Sequence, residues 1–115
     1  MTIETDIETL IATLGYEVYP DTAELGAPMP YVTYSQVGGQ PTDTLCGNAN
    51  GQNARIQFNT WSKRRSEANT MMRAIEALLT AAPLRGVSLG SLVAEYNSPT
   101  KAYGARQDIS FWYRP

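Results

Sequence analysis

Histidine is missing from the 115-residue chain, and cysteine occurs once, at Cys46. The first absence removes the side chain most used as a general base and as a metal ligand. A lone cysteine forms no intrachain disulfide, which suits a reducing compartment. A zinc site would have to gather carboxylates around that single thiolate, a poor donor set. Long apolar runs are also missing. Nothing approaches the ~20 residues that span a bilayer, and the opening MTIETDIETL is acidic and broken by charges, unlike a signal peptide. The cytoplasm is the expected place of synthesis and residence, with no membrane partner. Finally, nine basic against eleven acidic side chains leave a net charge of −2. That gives no overall attraction to nucleic acid or anionic lipid.

These absences leave little room for catalysis. With no histidine to activate them, the serines and threonines lack their usual base; Lys63 or Lys101 would have to serve instead. Asp21 with Glu24, or Glu4 with Asp6 and Glu8, supplies paired carboxylates. They read better as a turn and as the solvated start of a helix. The glycines at 38–39, 47 and 51 match no phosphate-loop spacing, and no GK[ST] follows them. The expectation is a chain that is not an enzyme and has no cofactor or metal.

What is present has the patterning of a folded domain. The length fits one domain over residues 1–115, and an apolar fraction of 43% supplies a core. Ile3, Ile7, Leu10, Ile11 and Leu14 form one stripe at helical spacing. Thr5 and Glu8 have the spacing of a capping box, and Gly15 stands where a left-handed terminating residue is usual. Val18 and Tyr19 suggest a short strand stopped by Pro20. The 20–30 segment, with three prolines and Gly26, runs extended over the surface. Residues 31–37 alternate as a strand. Residues 38–53, GGQPTDTLCGNANGQN, hold four glycines and three asparagines and read as a long hairpin tip.

The clearest strand covers 54–62. Ile56, Phe58 and Thr60 share one face; Arg55, Gln57, Asn59 and Trp61 share the other. Helical spacing returns over 66–82 in Ala68, Met71, Met72, Ile75, Leu78, Leu79 and Ala82, with Ser66 as N-cap and Pro83 as stop. A strand over 89–96, a turn over 97–101 and a closing strand over 103–113 follow. The closing strand puts Ile109, Phe111 and Tyr113 opposite Asp108, Ser110 and Trp112. The fold class is α+β: an antiparallel or mixed sheet of about four strands with two helices on one face.

Two features point to contact with other molecules. Seven tyrosines and two tryptophans gather in the strands and at their ends, and such rings are enriched in protein interfaces. Trp61 and Trp112 lie on the polar faces of their strands, so that face is either buried under a second layer or covered by a partner. The run Lys63, Arg64 and Arg65 reads first as a solvated loop between a strand and a helix, too few charges for useful phosphate affinity; the alternative is contact with phosphates or an acidic protein surface.

The segment VYPDTAELGAPMPYVTY, through Tyr19, Pro20, Asp21, Gly26, Pro30, Tyr31, Val32 and Tyr34, resembles the signature of the tail-completion family of long-tailed bacteriophages and prophages. These proteins are also called tail terminators or head–tail joining proteins. ARIQFNTWSKRRSEANTMMRAIEALL resembles the family's arginine-led strand running into an alanine- and glutamate-rich helix, and ARQDISFWYR resembles its closing strand. The order and spacing hold over nearly the whole chain, with departures at Glu24 and around 84–98.

The resemblance implies a structural role without catalytic residues. The subunits are expected to form a ring, generally a hexamer, on the head-proximal end of the tail tube. Expected partners are further copies of the chain, the major tail-tube protein and the head connector or completion protein. DNA would pass through the ring without specific binding. The expected location is the host cytoplasm during assembly and then the virion tail. The expected interface residues are Trp61, Trp112, Leu45, Cys46, Asp21, Leu25, Met29, Arg64 and Arg65. A head-completion stopper and a small nucleic-acid-binding module using Lys63–Arg65 and Arg106 are the alternatives.

Overall fold

A computed structural model describes residues 3–23, 26–39 and 52–113. In chain order the elements are helix α1 (Ile3–Ala12), strands β1 (Glu17–Pro20), β2 (Tyr31–Gly38) and β3 (Gln52–Ser62), helix α2 (Arg65–Thr80), and strands β4 (Val87–Asn97) and β5 (Ala102–Tyr113). The strands form one sheet in the order β1-β2-β3-β5-β4. All neighbours are antiparallel except β1 and β2, which run parallel. The sheet is mixed, as expected, but has five strands where about four were expected. β4 and β5 are the two late strands of the sequence pattern; the fifth member is β1, the short strand expected at Val18 and Tyr19, which joins the sheet beside β2.

The alternation in β3 sets the layers. Ala54, Ile56, Phe58 and Thr60 are buried, while Arg55 is exposed and Gln57, Asn59 and Trp61 are half-buried. Val32 and Tyr34 of β2 and Ala105, Ile109 and Phe111 of β5 continue the buried face across the sheet. Both helices cover that face. α1 contributes Ile3, Ile7 and Ile11, and α2 contributes Met71, Met72, Ile75 and Leu79. Each fully buried side chain of this size stabilises the fold by roughly 1.5–3 kcal/mol relative to exposure. Phe58 meets Phe111 edge-on at 6.3 Å and Tyr34 at 6.5 Å. Polar bonds tie the helices to the sheet: the Thr60 hydroxyl donates to the Ala68 carbonyl at 2.9 Å, the Ser88 hydroxyl to the Glu76 carboxylate at 2.7 Å, and the Tyr34 hydroxyl to the Glu8 carboxylate.

The helix termini differ from the sequence expectation. Thr5 lies inside α1 rather than ahead of it, and Glu8 is turned to Tyr34. α1 ends at Ala12 with Gly15 at φ +87°, which leaves Leu14 beyond the stripe and exposed. α2 starts at Arg65, one residue before Ser66, and its N-cap position is Arg64, in extended conformation. Ser62, the last residue of β3, takes over the polar work: its hydroxyl accepts the Arg64 amide at 3.2 Å and donates to Glu67. α2 stops at Thr80, so Ala82 is outside it, before Pro83.

β4 is irregular for a definable reason. Leu89 pairs with Asp108 and Val93 with Arg106, so β4 carries two residues more than β5 over the same stretch. The bulge contains Gly90 at φ +78°, and the Gln107 amide donates to the Gly90 carbonyl at 3.0 Å. Among the described residues, no helix is long and apolar enough to cross a membrane.

Candidate assembly surface

The second face of the sheet has no layer over it among the described residues. Register places its side chains in rows across the strands. One row runs Glu17, Tyr31, Trp61, Gly104 and Glu95, and the next runs Tyr19, Thr33, Asn59, Arg106 and Val93. Tyr19 and Tyr31 pack edge-on at 5.9 Å. Further along, Arg55 holds Asp108 at 2.7 Å, and Arg106 stands 3.7 Å from Glu95. Exposed ion pairs of this kind are worth about 0–1 kcal/mol, so they organise the face more than they stabilise it.

Trp61 is half-buried because of a glycine. Its ring lies on Gly104, where an added Cβ would stand 2.7 Å from Trp61 Cζ3 and 3.0 Å from the Thr60 carbonyl oxygen. A glycine inside a strand commonly marks such a close approach. Beside the ring is an open cleft of about 340 Å³ lined by Asp21, Tyr31, Thr33, Asn59, Trp61, Asn97 and Thr100, among others. Asp21 enters it from the end of β1, with φ +61° and its amide bonded to the Tyr34 carbonyl at 2.7 Å. The structure therefore brings Asp21 and Trp61 together, although forty residues separate them.

Trp112 sits elsewhere on the same face. It pairs with Asn53, eight residues along β5 from Gly104, roughly 27 Å away at ~3.4 Å per residue. It is 51% exposed. A second open cleft, about 330 Å³, lies towards this end and is lined by residues including Val37, Gly39, Arg55, Leu89 and Ser110. Arg64 and Arg65 do not join either cleft. Both are exposed at the start of α2, on the helix side, where the Arg65 guanidinium lies 5.3 Å from the centre of the Tyr103 ring. Met29 is half-buried before Pro30. Leu25, Leu45 and Cys46 lie outside the described residues.

Sequence reading missed the apolar content of β4. Val87, Leu89 and Val93 are exposed on the open face, and Tyr96 is exposed on the other, packed against Tyr103 at 4.9 Å. The bulge conceals the pattern that would have marked them. Among the described residues, Tyr34 carries a strong electrostatic perturbation. Burial, the bond to Glu8 and the charges of Glu8, Glu4 and Asp21 hold its hydroxyl un-ionised well above the ordinary phenol range. No group of three or more Cys, Asp or Glu side chains is placed to hold a metal among the described residues.

The face thus offers aromatic, polar and apolar contacts in open clefts, without a convergent set of reactive groups among the described residues. The family model described as tail completion protein gp17 matches residues 5–114. The chain belongs to that family. The match takes in every element except the first two residues of α1, including β4, where the sequence resemblance departs. The tail completion protein gp17 family makes a phage tail-completion role the functional reading, as a structural protein of the virion tail. No curated protein matches the chain.

Proposed function

We propose that the chain is a ring-forming subunit that caps the head-proximal end of the tail tube and joins it to the head connector. Support comes from the uncovered sheet face, with Trp112 51% exposed at one end and the Asp21–Trp61 cleft at the other. A hydrophobic and aromatic surface of this kind marks a protein contact in a soluble domain. The subunit is structural, without catalysis or cofactor, and a hexamer is the ring expected of it. Its partners in this reading are its own copies, the major tail-tube protein and the head connector, with DNA passing through the ring unread. It is made in the host cytoplasm, from a phage or prophage genome, and ends in the virion.

The test is electron microscopy of tails made without the protein. Overlong tails, shortened to normal by adding the purified chain, support the reading. Normal tails on heads that leak DNA would transfer the chain to the stopper role on the head side. Salt-dependent retention of DNA on a filter, with no binding to tail ends, would instead favour a nucleic-acid module.

A further inference from the structure

Charge is divided along the chain. Before Arg55 the sequence holds seven acidic and no basic residues; from Arg55 onwards it holds nine basic and four acidic residues. The first part therefore carries −7 and the second +5. Among the described residues the sheet order carries this into space in part: Glu4, Asp6, Glu8, Glu17 and Asp21 lie by α1 and β1 at one flank, and β5 and β4 form the other. The helices follow the same order: α1 packs by β1, and α2 lies over β3, β5 and β4.

At the β1 flank, Glu4, Asp6 and Glu8 are on α1, Glu17 is on β1, and Asp21 follows β1. Tyr34 registers this local field, since three of those carboxylates oppose its ionisation. At the β4 flank, Arg85 precedes the strand, Lys101 follows it, and Arg65 lies over Tyr103, which packs on Tyr96 of β4; the carboxylates there are engaged, Glu95 3.7 Å from Arg106 and Glu76 accepting the Ser88 hydroxyl at 2.7 Å. Val87, Val93 and Tyr96 supply exposed apolar surface between those charges.

We infer that successive subunits of the assembly join flank to flank, the acidic α1–β1 side of one copy against the basic β4 side of the next. The inference rests on the ring reading and names its contact. Pairing like flanks in a two-fold dimer would oppose charges of one sign, whereas head-to-tail contact opposes unlike charges and closes into a ring. The flank approaches the size needed. β4 runs alongside nine residues of β5, Ala102 to Ser110, roughly 30 Å at ~3.3 Å per residue. With a smallest molecular extent of 24 Å, this gives roughly 700 Å², against the ~800 Å² per partner of a standard interface.

Two variants test the inference: Glu4→Lys with Glu17→Lys, and Arg85→Glu with Lys101→Glu, all four positions being exposed. Self-association is followed by analytical ultracentrifugation of the purified chain at high concentration and by electron microscopy on isolated tail ends. Wild-type association should weaken at least tenfold between about 50 and about 500 mM salt, as mobile ions screen the flank charges. Each variant alone should fail to associate, and an equal mixture of the two should recover it, since one then carries two basic flanks and the other two acidic ones. Carbodiimide cross-linking of mixed ¹⁴N and ¹⁵N wild-type chains gives a readout independent of variant folding, with Lys101 joined between copies to Glu4, Glu17 or Asp21. Variants that associate normally, a mixture that does not recover, cross-links confined to one flank, or a wild-type chain monomeric in both settings would each overturn it. Wild-type chains that cap tails with charge-insensitive contacts would remove the flank assignment alone. Flank-dependent association without any binding to tails would remove the tail role alone.

Discussion

The two faces of the sheet are built from the same strands and differ in almost everything else. On the helix side, β3 presents Ile56, Phe58 and Thr60, all fully buried. One residue out of phase, the same strand presents Arg55, Gln57, Asn59 and Trp61 to an uncovered surface. Alternation alone separates a face that holds the fold from a face free to meet partners. The core thereby rests on one set of side chains of the strand, and the open surface is made by the alternate set.

Substitutions should follow that division. The largest effect is expected for Phe58→Ala, which leaves a cavity against Phe111 and Tyr34. It should cost about 3–5 kcal/mol in denaturant unfolding; a loss below about 1 kcal/mol would mean that the covered face is not the core. Gly104→Ala tests the open face where it is most tightly built. Trp61 must move off its seat or the strands must part, at about 1–3 kcal/mol. Adding Trp61→Ala should return most of the loss, and a double-mutant cycle measures how much.

Tyr34→Phe removes the bond to Glu8 and should cost about 1–2 kcal/mol near neutral pH. Its sharper signature is the alkaline limb. The Tyr34 hydroxyl ionises near pH 10 when unfolded and at higher pH when folded. Its contribution is therefore complete below pH 10 and is lost as pH rises from there towards the folded value. Wild type should lose stability over that window relative to Tyr34→Phe, and parallel pH profiles would rule the coupling out. The smallest effect on stability is expected for Trp112→Ser, within about 0.5 kcal/mol, together with a clear loss of binding to tail ends. A large loss of thermal stability there would show that Trp112 belongs to the core after all.

The elements that were legible in the sequence are those whose own residues carry the pattern. α2, β3 and β5 each repeat one period for long enough to show it, and Met71 and Met72 are in the core as that period implies. Features that depend on two distant segments were hidden. The N-terminus of α2 was misplaced because Ser62, on the preceding strand, supplies the hydroxyl expected of Ser66. β1 is four residues long, too short to announce a parallel partner. The β4 bulge breaks alternation inside the stretch where the family signature also departs. On the candidate surface, the tryptophans were found by facing the wrong way for their strands. The seat of Trp61 on Gly104, and its neighbour Asp21, required the register of three strands that no single segment contains.

A sheet with two free edges is exposed to a particular failure, the addition of strand upon strand into ribbons without end. At one edge β1 is short and ends in Pro20, which has no amide hydrogen to offer a newcomer. At the other, two surplus residues and the Gln107 plug interrupt β4 part-way along its length. Neither edge gives a long, regular template for backbone pairing. Backbone pairing from copy to copy is thereby disfavoured at either edge, and any contact made there falls to side chains.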